Sequence, residues 1–209
     1  VRFRDTNQLD DIKQFMEEWY KNKPRVTDFC STVKFPNRFP QMIVEYYQFL
    51  SNWGEVGGFG LQDYLVQPEN LKEEDGRFRL IGENQDCFYI WVEACQKEPH
   101  IFSNAPALFM GATEEITPLP HSLAHLIKTF TLRELLFGAE KTACYFADQK
   151  VCLEGTYEPL WLEANYALPK QNDLDFWLVD QKILMMKFRN NGEFWVGSDA
   201  EVAWKIKNQ

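Results

Sequence analysis

Long hydrophobic runs, closely spaced cysteines and an excess of basic residues are all missing from this 209-residue chain. No segment approaches the ~18 apolar residues of a membrane span, and the opening VRFRDTNQLDD lacks the apolar stretch of a secretory signal, so a cytoplasmic protein is expected. The 5 cysteines (Cys30, Cys87, Cys95, Cys144 and Cys152) are odd in number and none stands in CxxC spacing, which argues for reduced, mostly buried thiols over a disulfide framework. Histidine is scarce too. Only His121 and His125 have ligand spacing, and with no Glu after His121 and no third ligand in view, no metal is expected.

Catalytic signatures are also absent: there is no GxSxG, no P-loop and no GxGxxG. Gly57-Gly58-Phe59-Gly60 follows a helical pattern instead of a strand and has no lysine, so it reads as a turn with close backbone approach. No Ser or Cys has a partner His at a recognisable spacing. Neither an enzyme nor a cofactor is expected.

What the chain does have is acid. Asp and Glu number 31 against 22 Lys and Arg, a net charge of -9 that argues against nucleic acid and membrane surfaces as partners and suits a basic protein. Residues 45–120 alone hold 13 acids and 4 bases, a balance equal to that of the whole chain. Acidic loops that merely keep the chain soluble are the plainer explanation, and an electrostatic docking face is the other. The 7 Trp point to bulky packing or an interface.

Helical spacing of Leu9, Ile12, Phe15, Met16 and Trp19 predicts a first helix capped by Thr6 or Asn7. A second runs from Pro40 through Trp53, with Ile43, Tyr46, Tyr47 and Leu50 as its buried stripe and Gly54 as its stop. Phe59 to Val66 reads as a short strand, Pro68 to Leu71 as a helical turn and Lys72 to Gly76 as an acidic turn. Ile101 to Phe102 and Leu108 to Met110 are expected edge strands, and Ser122 to Phe137 a third helix with an apolar face and a break near Thr131. Leu174 to Val179, Ile183 to Phe188, Glu193 to Val196 and Glu201 to Ile206 predict a small antiparallel meander.

The chain is organised around Phe78 to Val92, read as a hairpin turning at Gly82-Glu83-Asn84-Gln85-Asp86. Its first strand alternates Phe78 and Leu80 with Arg77 and Arg79, which predicts one wet face. The second has apolar or aromatic groups on both faces, with Cys87, Tyr89 and Trp91 opposite Phe88, Ile90 and Val92. A central strand covered on both sides is expected, with the meander as one cover.

An ordered series of short motifs resembles the SUKH superfamily. Phe39-Pro40 opens a helix, Asn52-Trp53-Gly54 and the glycine turn follow, then Pro68-Glu69-Asn70-Leu71, Glu83-Asn84-Gln85, Trp91 and Pro99. The resemblance spans about residues 8 to 138. It implies an α+β fold with helices on one side of a mixed or antiparallel sheet, here extended by a β-rich unit over residues 139 to 209 that packs on the first. Many bacterial members of the superfamily are immunity proteins against polymorphic or contact-dependent toxins. By that resemblance the expected function is occlusion of a cognate, basic toxin, a nuclease by the charge argument, without turnover. Other members bind proteins as regulatory scaffolds, which is the alternative; an unrecognised hydrolase or small-ligand domain is a further one. The expected partner-binding residues are Glu69, Glu73, Glu74, Asp75, Glu83 and Asp86.

Overall fold

A computed structural model describes residues 3, 6–22, 34–53, 62–168, 174–199 and 201–208. Helix α1 (Asp10–Trp19) buries Ile12, Phe15 and Met16, and Leu9 takes its N-cap position without a side-chain cap. Neither Thr6 nor Asn7 does the capping; instead Asp10 and Asp11 in the first turn complement the positive end of the helix. Helix α2 (Gln41–Leu50) is entered through Pro40 and buries Ile43, Tyr46, Tyr47 and Leu50, the expected stripe, before a 3-10 turn at Ser51–Trp53. The glycine turn lies outside the described residues.

Strands β1 (Asp63–Leu65), β2 (Glu73–Glu74), β3 (Arg77–Glu83), β4 (Tyr89–Glu93) and β5 (Ile101–Ser103), helix α3 (Ala105–Met110) and strand β6 (Thr117–Leu119) come next. The six strands form one antiparallel sheet in the order β1-β3-β4-β5-β6, with β2 also on β3. The hairpin therefore sits at the sheet's centre. Leu108 to Met110, expected as a strand, is the last turn of α3. Pro106 sits in the first turn, where its missing N–H costs nothing, and Gly111 at φ 65° ends the helix in the left-handed region.

Helix α4 (Leu123–Phe137) starts at Ser122, whose Oγ accepts the His125 N–H at 3.1 Å. It runs unbroken through Thr131, whose hydroxyl donates to the Ile127 carbonyl at 2.6 Å and lies 2.5 Å from the Tyr46 hydroxyl. A helix apolar on most sides belongs inside a protein, and α4 is buried along nearly its whole circumference. Its polar side chains are used by neighbours. Lys128, with no exposure, meets Asp11 of α1 at 2.9 Å, Arg133 meets Asp63 of β1 at 2.9 Å, and Glu134 accepts the backbone N–H groups of Gln62 and Asp63.

The remaining strands are β7 (Lys141–Tyr145), β8 (Val151–Leu153), β9 (Tyr157–Ala164), β10 (Leu174–Val179), β11 (Ile183–Phe188), β12 (Phe194–Ser198) and β13 (Ile206–Asn208). A second antiparallel sheet runs β7-β12-β11-β10-β9, and β13 pairs with β8 as a separate ribbon. The strand expected over Glu201 to Ile206 is thus displaced to Ile206–Asn208 and leaves the meander. The second sheet packs on α4 through β11 and β12. Leu160, Trp161, Phe176, Leu184 and Met186 share one core with α1, α2, α4 and the inner face of the first sheet. The fold is α+β with antiparallel sheets on a central helix. No helix among the described residues is long and apolar enough to cross a membrane.

Candidate partner-binding surface

Register decides what the first sheet shows to its surroundings. Phe78, Leu80, Ile90, Val92 and Ile101 point into the core, and a slip in pairing between Arg79 and Ile81 lets both Leu80 and Ile81 be buried. The opposite face carries Arg77, Arg79, Tyr89, Trp91 and Phe102, of which Arg79 is exposed and the others half-buried. Tyr89, Trp91 and Phe102 belong to neither apolar core. This overturns the expectation of a doubly covered β4. The second sheet goes to α4, and the outer aromatics of the hairpin are covered in part by arginines.

That cover is a stacked lattice. The Arg79 guanidinium lies 4.0 Å from the centre of the Tyr89 ring and that of Arg77 4.3 Å from the Phe102 ring, while Tyr89 and Trp91 meet edge to face at 5.9 Å. Guanidinium groups can stack on aromatic faces with their charge still hydrated, so a wet sheet face can carry large rings. On one side Tyr64 reaches over β3 and its hydroxyl donates to Asp86 at 2.7 Å. Tyr89 also hydrogen-bonds Asp86; the Tyr64 bond above all holds the Asp86 carboxyl below the usual carboxylate range. Burial, then the bond to Asp86, pushes the Tyr64 phenol up to about 12. On the other side His100 Nδ1 lies 2.9 Å from a Glu93 carboxylate oxygen.

Beside the lattice lies an open cavity of about 540 Å³ lined by Tyr64, Leu65, Val66, Gln67, Asn70, Lys72, Glu74 and Arg79. It takes its walls from β1, the 3-10 turn at Pro68–Asn70, the β2 approach and the outer face of β3. Both charge signs line it.

The six acids expected to bind a partner do not form one patch. Glu73, Glu74 and Asp75 lie where β3 begins and Glu83 and Asp86 where it ends, about 20 Å apart at ~3.3 Å per residue. Pairing puts Glu73 on the side of Phe78, where Arg38 holds it at 2.6 Å, and Glu74 on the side of Arg77, in the cavity wall. Asp75 is exposed in the turn at φ 49°. Glu69 is exposed on the 3-10 turn. Glu83 accepts the N–H groups of Gln85 at 2.9 Å and Cys87 at 3.2 Å, so its carboxylate closes the hairpin turn. Only Asp86 joins the lattice.

Sequence reading missed Tyr64, Arg77, Arg79, Tyr89, Trp91 and Phe102 as a surface set. The signal was present in Arg77 and Arg79: a wet face on one strand of a hairpin is wet on its partner too, because cross-strand neighbours share a face. Of the cysteines expected to be buried, Cys87 is exposed and Cys95, Cys144 and Cys152 are half-buried, all four as free thiols; Cys30 lies outside the described residues. The His121 and His125 rings lie 5.0 Å apart, tilted by 42°, but among the described residues no cluster of three or more His, Cys, Asp or Glu is placed to hold a metal.

No family model, curated protein or solved structure matches the chain.

Proposed function

We propose that the chain is an immunity-type inhibitor with a SUKH-like fold, which binds a cognate toxin stoichiometrically in the cytoplasm and covers its active site or substrate groove without turnover. The observation that supports this reading is the arginine and aromatic lattice on the outer face of the first sheet. Trp, Tyr and Arg are the side chains that most often carry binding energy at protein interfaces. Here they are held by one another before any partner arrives, which lowers the ordering cost of binding. The acid excess of residues 45–120 then favours a basic partner, such as a toxin that cuts nucleic acid, by speeding encounter and opposing its anionic substrate. The open cavity beside Arg79 favours a second reading, a small-ligand domain, and a scaffold with several partners is the third.

The test is co-expression with a candidate toxin encoded beside this chain's gene, scored by cell survival and by a one-to-one complex on light scattering. Trp91→Ala combined with Arg79→Ala, which takes two of the lattice's large side chains away without adding acid, is expected to abolish both while leaving the melting temperature within a few degrees of the parent. Full protection by that variant would overturn the assignment of the interface, and absence of any complex with the parent chain would overturn the inhibitor reading.

A further inference from the structure

At the end of the first sheet where the β3–β4 turn lies, a short helix leaves three large apolar side chains in water. Leu108, Phe109 and Met110 are 54%, 63% and 44% exposed, and they account for three of the five large hydrophobic residues so exposed among the described residues. The helix is not a frayed end. Ala105 and Pro106 are buried, the Ser103 hydroxyl accepts the Ala105 N–H at 3.1 Å, and the Asn104 side chain accepts the Tyr89 N–H at 2.7 Å. The Phe109 ring packs edge-on against Phe88 at 6.2 Å with most of its surface still free.

The charge around this patch is mainly acidic, with Arg79 of the lattice beside Asp86 at its edge. Ser103 pairs with Ile90 on one side and Thr117 on the other, so α3 leaves the sheet, and the segment after it returns, at the end where Asp86 sits. Asp86, Glu114 and Glu115 are exposed there. No Lys or Arg occurs between Lys97 and Lys128, and Lys128 is buried on α4. An apolar ridge flanked by carboxylates is poorly suited to a second copy of itself or to an anionic membrane, since both would bring like charges together.

We propose that Leu108, Phe109 and Met110 form the apolar anchor for a basic amphipathic segment of a partner protein, with Asp86, Glu114 and Glu115 as its electrostatic rim. This deepens the inhibitor reading and rests on it for the partner's identity. It places a second contact at the end of the sheet, next to the lattice through Asp86. The partner element carries apolar groups on one side and Lys or Arg along its flanks.

The experiment uses the full chain and a fluorescent synthetic amphipathic helix of Leu and Lys, read by anisotropy at low ionic strength, with a Leu and Glu helix as control. Binding of the Lys peptide is expected to weaken more than tenfold in the Leu108→Ser, Phe109→Ser, Met110→Ser variant, whose charge is unchanged, and comparably in Glu114→Lys, Glu115→Lys. The Glu peptide is expected not to bind. Equal affinity for parent and serine variant, or no binding of the Lys peptide to the parent, overturns the proposal. So does a dimer on light scattering, or sedimentation with phosphatidylserine vesicles, that the serine variant abolishes. Toxin protection that survives the serine variant but not the Trp91 and Arg79 changes would remove this contact and leave the inhibitor reading standing.

Discussion

Gly197 lies flat against the last turn of α4: a β-carbon built on it would come within 2.7 Å of the Leu136 carbonyl oxygen and 3.0 Å of the Ala139 side chain. This is where β12 seats the second sheet on the central helix. Backbone cannot yield as a flexible side chain can, so Gly197→Ala is expected to destabilise the fold by roughly 1–3 kcal/mol, as overpacking does. Urea unfolding measures it. An unchanged midpoint would mean the sheet is not held at that point.

The same seating predicts the result of truncation. Removing residues 139 to 209 strips Leu160, Trp161, Phe176, Leu184 and Met186 from the core they share with α4. The remainder is expected to be insoluble or to bind hydrophobic dyes and lose its near-ultraviolet dichroism. A folded, monomeric fragment on gel filtration would contradict this.

Gly82 has a different neighbour. A β-carbon there would overlap the end of the Tyr64 ring, which crosses β3 to reach Asp86. Because that ring can swing away, Gly82→Ala is expected to cost little stability but to release the Tyr64–Asp86 bond. Spectroscopic titration of the tyrosines should then show one phenol, near 12 in the parent, returning towards its ordinary value of about 10. Tyr64→Phe identifies that phenol by removing it.

Asp11 and Lys128 tie α1 to α4. Removing the carboxylate in Asp11→Ala strips the fully buried ammonium of its 2.9 Å partner, and a cost of about 3 kcal/mol is expected. Lys128→Met removes the charge itself, including its place 5.4 Å over the Trp161 ring, and leaves no ammonium to be desolvated, so it should cost less, and adding Asp11→Ala to it should cost little more. A double-mutant cycle on denaturant midpoints checks the ordering.

Acid should weaken the fold through His121. Burial first, and the neighbouring His125 second, lower its pKa to about 3, against an ordinary value of about 6.5. The unfolded chain therefore binds this proton more readily than the folded one. Stability from the neutral ring is complete above about 6.5 and is lost as pH falls towards 3. His121→Phe should flatten the stability profile between pH 7 and 4; an unaltered slope would assign the acid limb to other groups.

Local pattern determined much of this. The Ile43, Tyr46, Tyr47 and Leu50 stripe is legible because its burial has the helical period, and the strands at Leu174–Val179 and Ile183–Phe188 because they are mainly apolar runs separated by the short Asp180-Gln181 turn. Leu108 to Met110 misled because three apolar residues suit a strand or a helix equally, and the helix was signalled only by Pro106 and Gly111 at its ends. Strand β9 holds Pro159, which breaks a strand pattern in the sequence and is tolerated there because β9 is at the sheet's edge. What only the tertiary structure decided is which face is wet. Tyr89 and Trp91 look like core by composition, and Asp11 and Lys128 look like surface. The second sheet settled on α4, drawing Lys128 into the interior with a carboxylate partner, and left the hairpin's outer rings to the arginines of β3. The acids show the same limit: close along the chain, they were parted by the length of one strand, because sequence distance along β3 becomes spatial distance at ~3.3 Å per residue.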